Sequence, residues 1–295
     1  MPPVTDLPEL YLFLPQMRLS MEAMVERATH AEAAGFAGIA LMDHLAPPLA
    51  LDQPMLEAMT SASWLASRTT TLRVGHLVLC DAFRHPAVLA REAVTIAEAS
   101  GGRFDLGIGS GSVPEELDTF GVPHGDARDR VARLGESLEI MRALWAGDTV
   151  DVAGEHFTLV AAQQAPLPTR PIPIVIGGTG PKMMDLVARY ASWWNVPVHQ
   201  LDRVEALRDT VGDARVSIQQ MVTFVPDGGD RAELDATAAR RFGTMSGGRV
   251  TGTAGELVDH FASLRAQGVE RVYVWLTDFA APATLDAFGR EVIGH

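Results

Sequence analysis

Short apolar runs alternate with amphipathic stretches along most of the chain. The first apolar run, Leu10 to Pro15, is followed by a polar and apolar mixture that begins after Ser20, a residue type that caps helices. This amphipathic segment ends at Gly35, and the next apolar run extends from Gly38 to His44. A short apolar run predicts a buried strand and the mixed pattern predicts a helix, so the chain begins strand, helix, strand.

The same alternation continues towards the C-terminus. A helix is predicted around Met55 to Ser67, another from Pro86 to the glycine pair 101–102, and a third begins with the capping pattern at Thr253. The further predicted strands are Leu72–Leu79, Arg103–Gly111, Pro171–Gly178, Trp193–Val198, Arg215–Val225 and Arg271–Thr277. About eight strands, most of them followed by a helix, predict an α/β fold of the (β/α)8 TIM-barrel type. An open, doubly wound sheet is the alternative.

Two irregular stretches, 112–127 and 148–170, interrupt this alternation. We interpret them as insertions on the barrel, with a small hairpin in the second. We find no low-complexity linker, so residues 1–295 are predicted to form one domain with insertions.

Composition narrows the class of protein. The chain has 295 residues, of which 47% are hydrophobic and 21% charged, as in ordinary globular enzymes. A formal net charge of -13, without a Lys or Arg cluster, argues against nucleic acid and anionic membranes as partners. No apolar stretch approaches the ~20 residues of a membrane span, and no signal peptide is recognisable, so we expect a cytoplasmic protein.

The cysteine and histidine residues give no metal motif. Cys80 is the single cysteine, which excludes a disulfide framework or a multi-thiolate zinc site within one chain. The nine histidines are scattered, with no HExxH pattern, so no metal site is predicted. Because ligands in a barrel come from separate strands, a metal-dependent hydrolase stays as an alternative.

The sequence GGTGPK, residues 177–182, lies between a predicted strand and a predicted helix. It is not a P-loop, because Pro181 stands where that motif requires glycine. Gly177, Gly178 and Gly180 nevertheless permit close approach of the backbone to an anion, and Pro181 suits the first position of the helix. A phosphate site at the helix N-terminus and a simple tight turn both fit this pattern.

Asp43 and His44 lie at the C-terminal end of the second predicted strand, where barrels carry their active sites. Histidine is the side chain best suited to proton transfer near neutral pH, although one that bonds a backbone carbonyl is the common alternative. Neighbouring residues of a strand point to opposite faces, so Asp43 is predicted to have a structural role.

The segment after the third strand, 77–86, ends in a proline that can begin a helix. It places Cys80 and Asp81 at the predicted barrel mouth. A buried Cys80 is a better interpretation than a reactive thiol, and Arg84 and His85 are predicted to fix the start of the helix.

Four stretches in this order resemble the luciferase-like monooxygenase family: 31–45, 73–111, 133–147 and 171–195. The resemblance extends from Leu10 to about Val274. It implies a TIM barrel with insertions that uses FMN or the deazaflavin coenzyme F420. The sequences SGGRFDLGIGSG, IGGTGP and ARYASWWN are more similar to those of the branch that uses F420.

The resemblance also implies roles for individual residues. His44 would lie beside the reacting carbon, and Asn195 would face the pocket. The residues implied to contact the cofactor phosphate are Gly177, Gly178, Thr179, Gly180 and Pro181. A bulge with a non-prolyl cis peptide is implied behind the ring, formed by Leu79, Cys80 and Asp81. The residues implied beside the ring are Ser110 and Gly111.

One departure from the family concerns the acid of the reaction. Sugar-phosphate dehydrogenases of the F420-using branch have a glutamate where this chain has Ser112. Glu115 and Glu116 are nearby, but we interpret them as helix-start residues. The same substrate is therefore doubtful.

We expect a coenzyme F420-dependent oxidoreductase that transfers a hydride to or from a small organic substrate, with His44 as acid or base. An FMN-dependent monooxygenase supplied by a separate reductase is the main alternative. A non-catalytic flavin-binding protein is a further one. A homodimer is expected, and the substrate is not identifiable from the sequence.

Overall fold

A computed structural model describes residues 7–48, 50–243 and 247–294. Within these ranges the strands are β1 Glu9–Phe13, β2 Gly38–Leu41, β3 Arg73–His76, β4 Leu79–Cys80, β5 Phe104–Gly109, β6 Val150–Ala153, β7 Thr158–Ala162, β8 Ile174–Gly177, β9 Trp193–Val196, β10 Arg215–Phe224, β11 Val250–Gly252 and β12 Val269–Leu276. The helices are α1 Met21–Ala33, α2 Ala58–Arg68, α3 Pro86–Ala99, α4 Pro114–Thr119, α5 Ala127–Ala146, α6 Pro181–Tyr190, α7 Val204–Leu207, α8 Arg231–Phe242, α9 Ala254–Ala266 and α10 Pro282–Phe288. None of the helices in these ranges is long and apolar enough to cross a membrane.

Eight parallel strands close into a barrel. Their order around it is β1, β2, β3, β5, β8, β9, β10 and β12, and β12 pairs again with β1. The predicted TIM barrel is therefore confirmed, and the open doubly wound sheet is wrong. β11 adds to β10 outside the ring, and β4 pairs with β5 beyond the end of β3.

Helix boundaries follow the local signals in the sequence. The Ser20 side chain accepts a hydrogen bond from the backbone of Ala23, and Pro86 is the first residue of α3. Thr253 and Glu256 form the reciprocal capping box at the start of α9. The side-chain caps satisfy amides that have no partner within the helix, and a proline at the first position has no amide that needs one.

Both irregular stretches are insertions between barrel strands. The stretch 112–127 contains the short helix α4, and the stretch 148–170 contains the antiparallel hairpin of β6 and β7, as predicted. Only the first insertion reaches the cavity described below.

The barrel interior at the N-terminal ends of the strands is filled by a cluster around Arg271. This guanidinium is 3% exposed, donates to Glu9 at 2.8 Å and to Asp105 at 3.1 Å. It also stacks between the rings of Tyr11 and Trp193, at 3.8 and 3.7 Å from their centroids. A buried cation with two carboxylates and two aromatic faces is well compensated, so this cluster closes one end of the barrel.

Two strands end earlier than their apolar runs. The second stops at Leu41 because the Gln16 side chain bonds both backbone groups of Met42, accepting from its amide at 3.2 Å and donating to its carbonyl at 2.6 Å. The third stops at His76 and resumes as β4. Both interruptions are at the C-terminal mouth of the barrel, where loops replace the ladder.

Candidate functional site

A cavity of about 290 Å³ opens at the C-terminal ends of β2, β4, β5 and β8. The structure therefore brings together side chains from parts of the chain that are more than a hundred residues apart. The predicted site residues that line it are His44, Leu79, Cys80, Ser110, Gly111 and Gly177. This is the face on which barrel enzymes carry their chemistry.

The wall between β3 and β5 is shaped by glycine. A Cβ on Gly107 would lie 1.8 Å from the carbonyl oxygen of His76, so only glycine lets these two strands approach here. The chain then passes through a non-prolyl cis peptide between Leu77 and Val78 before β4 begins. Our prediction that the cis bond lies within Leu79 to Asp81 was wrong by two residues, because that stretch has already returned to pairing with β5.

Asp43 connects two parts of this wall. Its buried carboxylate accepts from the Cys80 amide at 2.8 Å and from the two terminal nitrogens of Arg84 at 2.5 and 3.1 Å. Arg84 also contacts Glu57, the residue that caps α2. These contacts support the structural interpretation of Asp43, since they fix the end of β2 against β4, and Asp43 also forms part of the cavity wall.

His44 pairs with Glu116. Its Nδ1 lies 2.8 Å from Oε2 of Glu116, and Oε1 of the same carboxylate accepts from the amides of Leu45 at 2.5 Å and Ala46 at 3.1 Å. The side chains are 19% and 8% exposed. Our interpretation of Glu116 as only a helix-start residue was wrong, because the short helix α4 folds back over the end of β2.

This contact determines which nitrogen of His44 is free. A carboxylate is only an acceptor, so Nδ1 carries the hydrogen and Nε2 keeps its lone pair when the ring is neutral. The arrangement is that of an imidazole base oriented by a carboxylate. Ser112 also lines the cavity.

The glycine-rich turn lies between β8 and α6. Gly178 has a φ of +113°, a conformation that side chains disfavour, and its amide donates to the carbonyl of Asn195 at 3.2 Å. Trp194 donates from its indole nitrogen to the Gly178 carbonyl at 2.8 Å. Pro181 is the first residue of α6, as predicted, and Gly180 is its cap. The amides after Pro181 are free of intrahelical acceptors, which suits an anion.

A guanidinium that sequence reasoning missed lies at this turn. Arg203 donates to the hydroxyl of Thr179 at 3.1 Å and to the side-chain oxygen of Gln200 at 3.2 Å. Arg203 is exposed, so its remaining nitrogens are accessible. No local pattern in the sequence predicts this position. Arg203 lies near the turn because it ends the short helical segment Val198–Arg203, which follows β9.

Other predicted residues are placed as follows. Asn195, opposite Gly177 in the register of β8 and β9, accepts from the hydroxyl of Ser217 at 3.2 Å. It was expected to face the pocket, but it is not among the residues that line the cavity. Asp81 does not line the cavity, because its carboxylate pairs with Arg133 on α5. Gly111 has a φ of +85°.

Burial raises the pKa of the Cys80 thiol to about 11. The thiol therefore stays protonated near neutral pH, which favours its interpretation as a buried wall residue over that of a nucleophile. A Cβ on Gly111 would approach Sγ to 3.0 Å, so this wall is closely packed.

Within the part of the chain that the structure describes, no three His, Cys, Asp or Glu side chains are grouped to hold a metal ion.

The model of the luciferase-like monooxygenase family matches residues 12–222, and the chain belongs to this family. An uncharacterised protein of Mycobacterium tuberculosis is 30% identical over 231 residues, which cover 70% of this chain and 79% of that protein. An F420-dependent glucose-6-phosphate dehydrogenase of Rhodococcus erythropolis is 37% identical over 173 residues. The match covers 57% of this chain and 49% of the dehydrogenase, so it spans about half of that relative.

Solved structures share the fold at low sequence identity. An F420-dependent secondary alcohol dehydrogenase in complex with an F420–acetone adduct has a TM-score of 0.82 at 17% identity, covering 97% of this chain and 98% of that one. The EDTA monooxygenase of Chelativorans also has a TM-score of 0.82, at 14% identity and with coverage of 98% and 93%.

Proposed function

We propose that this protein is a coenzyme F420-dependent oxidoreductase that transfers a hydride between the deazaflavin and a small organic substrate. The observation that carries the proposal is the His44–Glu116 pair in a cavity that also reaches the glycine-rich turn. A proton acceptor and an anion site in one cavity suit a redox cofactor with a phosphate tail. The F420-dependent relatives support this choice of cofactor.

The residues present fit such a cofactor. The turn from Gly177 to Pro181 and the first amides of α6 would receive its phosphate, with Arg203 supplying positive charge. Leu79, Ser110 and Gly111 would contact the ring, since they line the same cavity as His44 and Gly177. Gly177, Gly178 and Gly180 have no side chain, so they leave space beside the turn that a larger residue would fill.

When bound, the deazaflavin supplies a carbon that accepts or donates the hydride. His44 then handles the accompanying proton. In the direction of alcohol oxidation Nε2 takes the hydroxyl proton, and in the reverse direction the protonated ring returns it. Glu116 stabilises the charge that the ring acquires and keeps Nδ1 directed away from the substrate.

Titration of the purified protein with F420 and, separately, with FMN tests the cofactor, with fluorescence as the readout. We expect F420 to bind at least about tenfold more tightly, a difference of about 1.4 kcal/mol. Tight FMN binding with weak F420 binding would favour the alternative, a monooxygenase fed by a separate reductase, which the fold of the EDTA monooxygenase makes relevant.

Turnover separates an enzyme from a flavin-binding protein. Loss of F420 fluorescence on reduction is followed with propan-2-ol, glucose 6-phosphate and 4-(hydroxymethyl)benzoate as separate substrates. His44→Ala should lower the rate by about 10²-fold or more while F420 binding persists. An unchanged rate in this variant would refute the role of His44, and tight F420 binding without turnover of any donor would favour the non-catalytic alternative.

A further inference from the structure

A second cavity, of about 350 Å³, lies beside the first at the barrel mouth. Its apolar wall includes Trp275 and Phe242, whose rings meet edge to face with centroids 5.3 Å apart. Phe279 adds a third aromatic ring. Met42 lines both cavities and is the point at which they meet.

Three arginine residues, all of them exposed, line this second cavity: Arg18, Arg240 and Arg241. Arg240 donates to the hydroxyl of Thr237 at 2.9 Å, and Arg241 donates to the backbone carbonyl of Thr277 at 3.1 Å. Across the described ranges, none of the three has a carboxylate oxygen within 4.0 Å. In a chain of net charge -13, three cations without a carboxylate partner at one cavity form a local anion-attracting site.

The backbone holds this site in an unusual conformation. Arg18 has a φ of +62° and Phe279 a φ of +60°, values that L-residues other than glycine rarely adopt. Hydrogen bonds compensate for both, since the Arg18 amide donates to Pro54 at 2.9 Å and the Phe279 carbonyl accepts from Arg27 at 2.8 Å. Strained residues of this kind concentrate at ligand sites.

The position of the arginines indicates which ligand they serve. Their cavity lies by β1, β2 and β12, whereas the glycine-rich turn follows β8, on the opposite side of the ring of strands. A phosphate at the turn is therefore separated from the arginines by the first cavity. A molecule in the second cavity would therefore reach the first cavity past Met42, from the side opposite the turn.

We propose that the substrate is an anion with an apolar body, whose carboxylate or phosphate is held by Arg18, Arg240 and Arg241 and whose body packs against Trp275. That the bound anion is the substrate rests on the proposed function, but binding of the anion itself does not require the cofactor. The reacting carbon would then extend past Met42 towards His44. Arginine suits both headgroups because its planar fork can bond two oxygens at once.

The test is a calorimetric titration of the cofactor-free protein with benzoate, with phenyl phosphate, and with benzyl alcohol as the uncharged counterpart. We expect at least one of the two anions to bind about tenfold or more tightly than benzyl alcohol. The better of the two identifies the headgroup. The double variant R240Q/R241Q should lose about tenfold or more in affinity for that anion and retain its weak affinity for benzyl alcohol.

R265Q is the matched control, because it removes a charge from the exposed face of α9 and should leave all three titrations unchanged. Equal binding of the anions and the alcohol, or equal losses in R240Q/R241Q and R265Q, would overturn the proposal. F420 titrations of the same variants keep the two proposals apart. Intact anion binding with no F420 binding refutes only the proposed function, and intact F420 binding with no anion binding refutes only this inference.

Discussion

The substitution Glu116→Gln gives the sharpest test of the catalytic proposal. It preserves size and hydrogen bonding but removes the charge beside His44. In the native protein Oε1 of Glu116 accepts from the amides of Leu45 and Ala46, and Oε2 lies 2.8 Å from Nδ1 of the ring. The amide oxygen of glutamine has to stay with the two backbone donors, so its NH₂ group faces the ring.

An NH₂ group can only donate, so it forces Nδ1 of His44 to become the acceptor and moves the ring hydrogen to Nε2. The nitrogen that faces the substrate is then no longer a base. Restoring the productive tautomer requires turning the glutamine, which leaves the amides of Leu45 and Ala46 facing a donor. At about 1–2 kcal/mol for each lost bond, the penalty is about 2–4 kcal/mol, or roughly 30- to 1000-fold in rate.

The assay is the rate of F420 reduction by the best alcohol of the panel, measured with saturating cofactor. We expect kcat to fall by that factor and the Kd for F420 to stay within about twofold, since Glu116 does not contact the glycine-rich turn. Glu115→Gln is the matched control, because it removes the same charge from the same helical turn at an exposed position. Equal rates in the two variants, or a loss of F420 binding alone, would refute the role assigned to Glu116.

Three further variants test the surrounding structure. Gly178→Val should weaken F420 binding, measured by fluorimetry, by about tenfold or more, because φ is +113° and the new Cβ would lie 3.2 Å from the Met183 side chain. Gly255→Ala is the control in the same titration, because the space around its Cβ is open. Asp43→Asn should cost about 2 kcal/mol in urea unfolding, because it leaves Arg84 with the half-exposed Glu57 as its remaining carboxylate partner, and a loss below about 0.5 kcal/mol would contradict this. Burial lowers the pKa of His76 from 6.5 to about 4. The unfolded chain therefore binds a proton at a higher pH than the folded protein does. The free energy of unfolding falls as the pH drops from about 6.5 to 4, by roughly 3 kcal/mol in total. His76→Leu should remove that part of the pH slope in urea melts at pH 7 and 5, and an unchanged slope would show that His76 is not its cause.

The sequence was informative wherever a local pattern decides the structure. Apolar runs and caps predicted the barrel because buried parallel strands and helix ends each require particular residue types within a few positions. The start of α6 at Pro181 followed from the same kind of local requirement.

The parts that the sequence did not reveal depend on long-range contacts. Glu116 is 72 residues from His44, and Arg203 is 24 residues from Thr179. Gln16 ends a strand 26 residues away by bonding its backbone. Each contact depends on how an insertion or loop folds over the barrel mouth, and no spacing rule within one sequence encodes that path.

The Arg271 cluster has a kinetic consequence. Because it fills the barrel at the N-terminal ends of the strands, both reactants reach the site from the C-terminal mouth. The two cavities lie on opposite sides of that mouth and meet at Met42, so neither reactant has to pass the other. We expect the deazaflavin and the substrate to add in either order, with the product-inhibition patterns of a random-order mechanism.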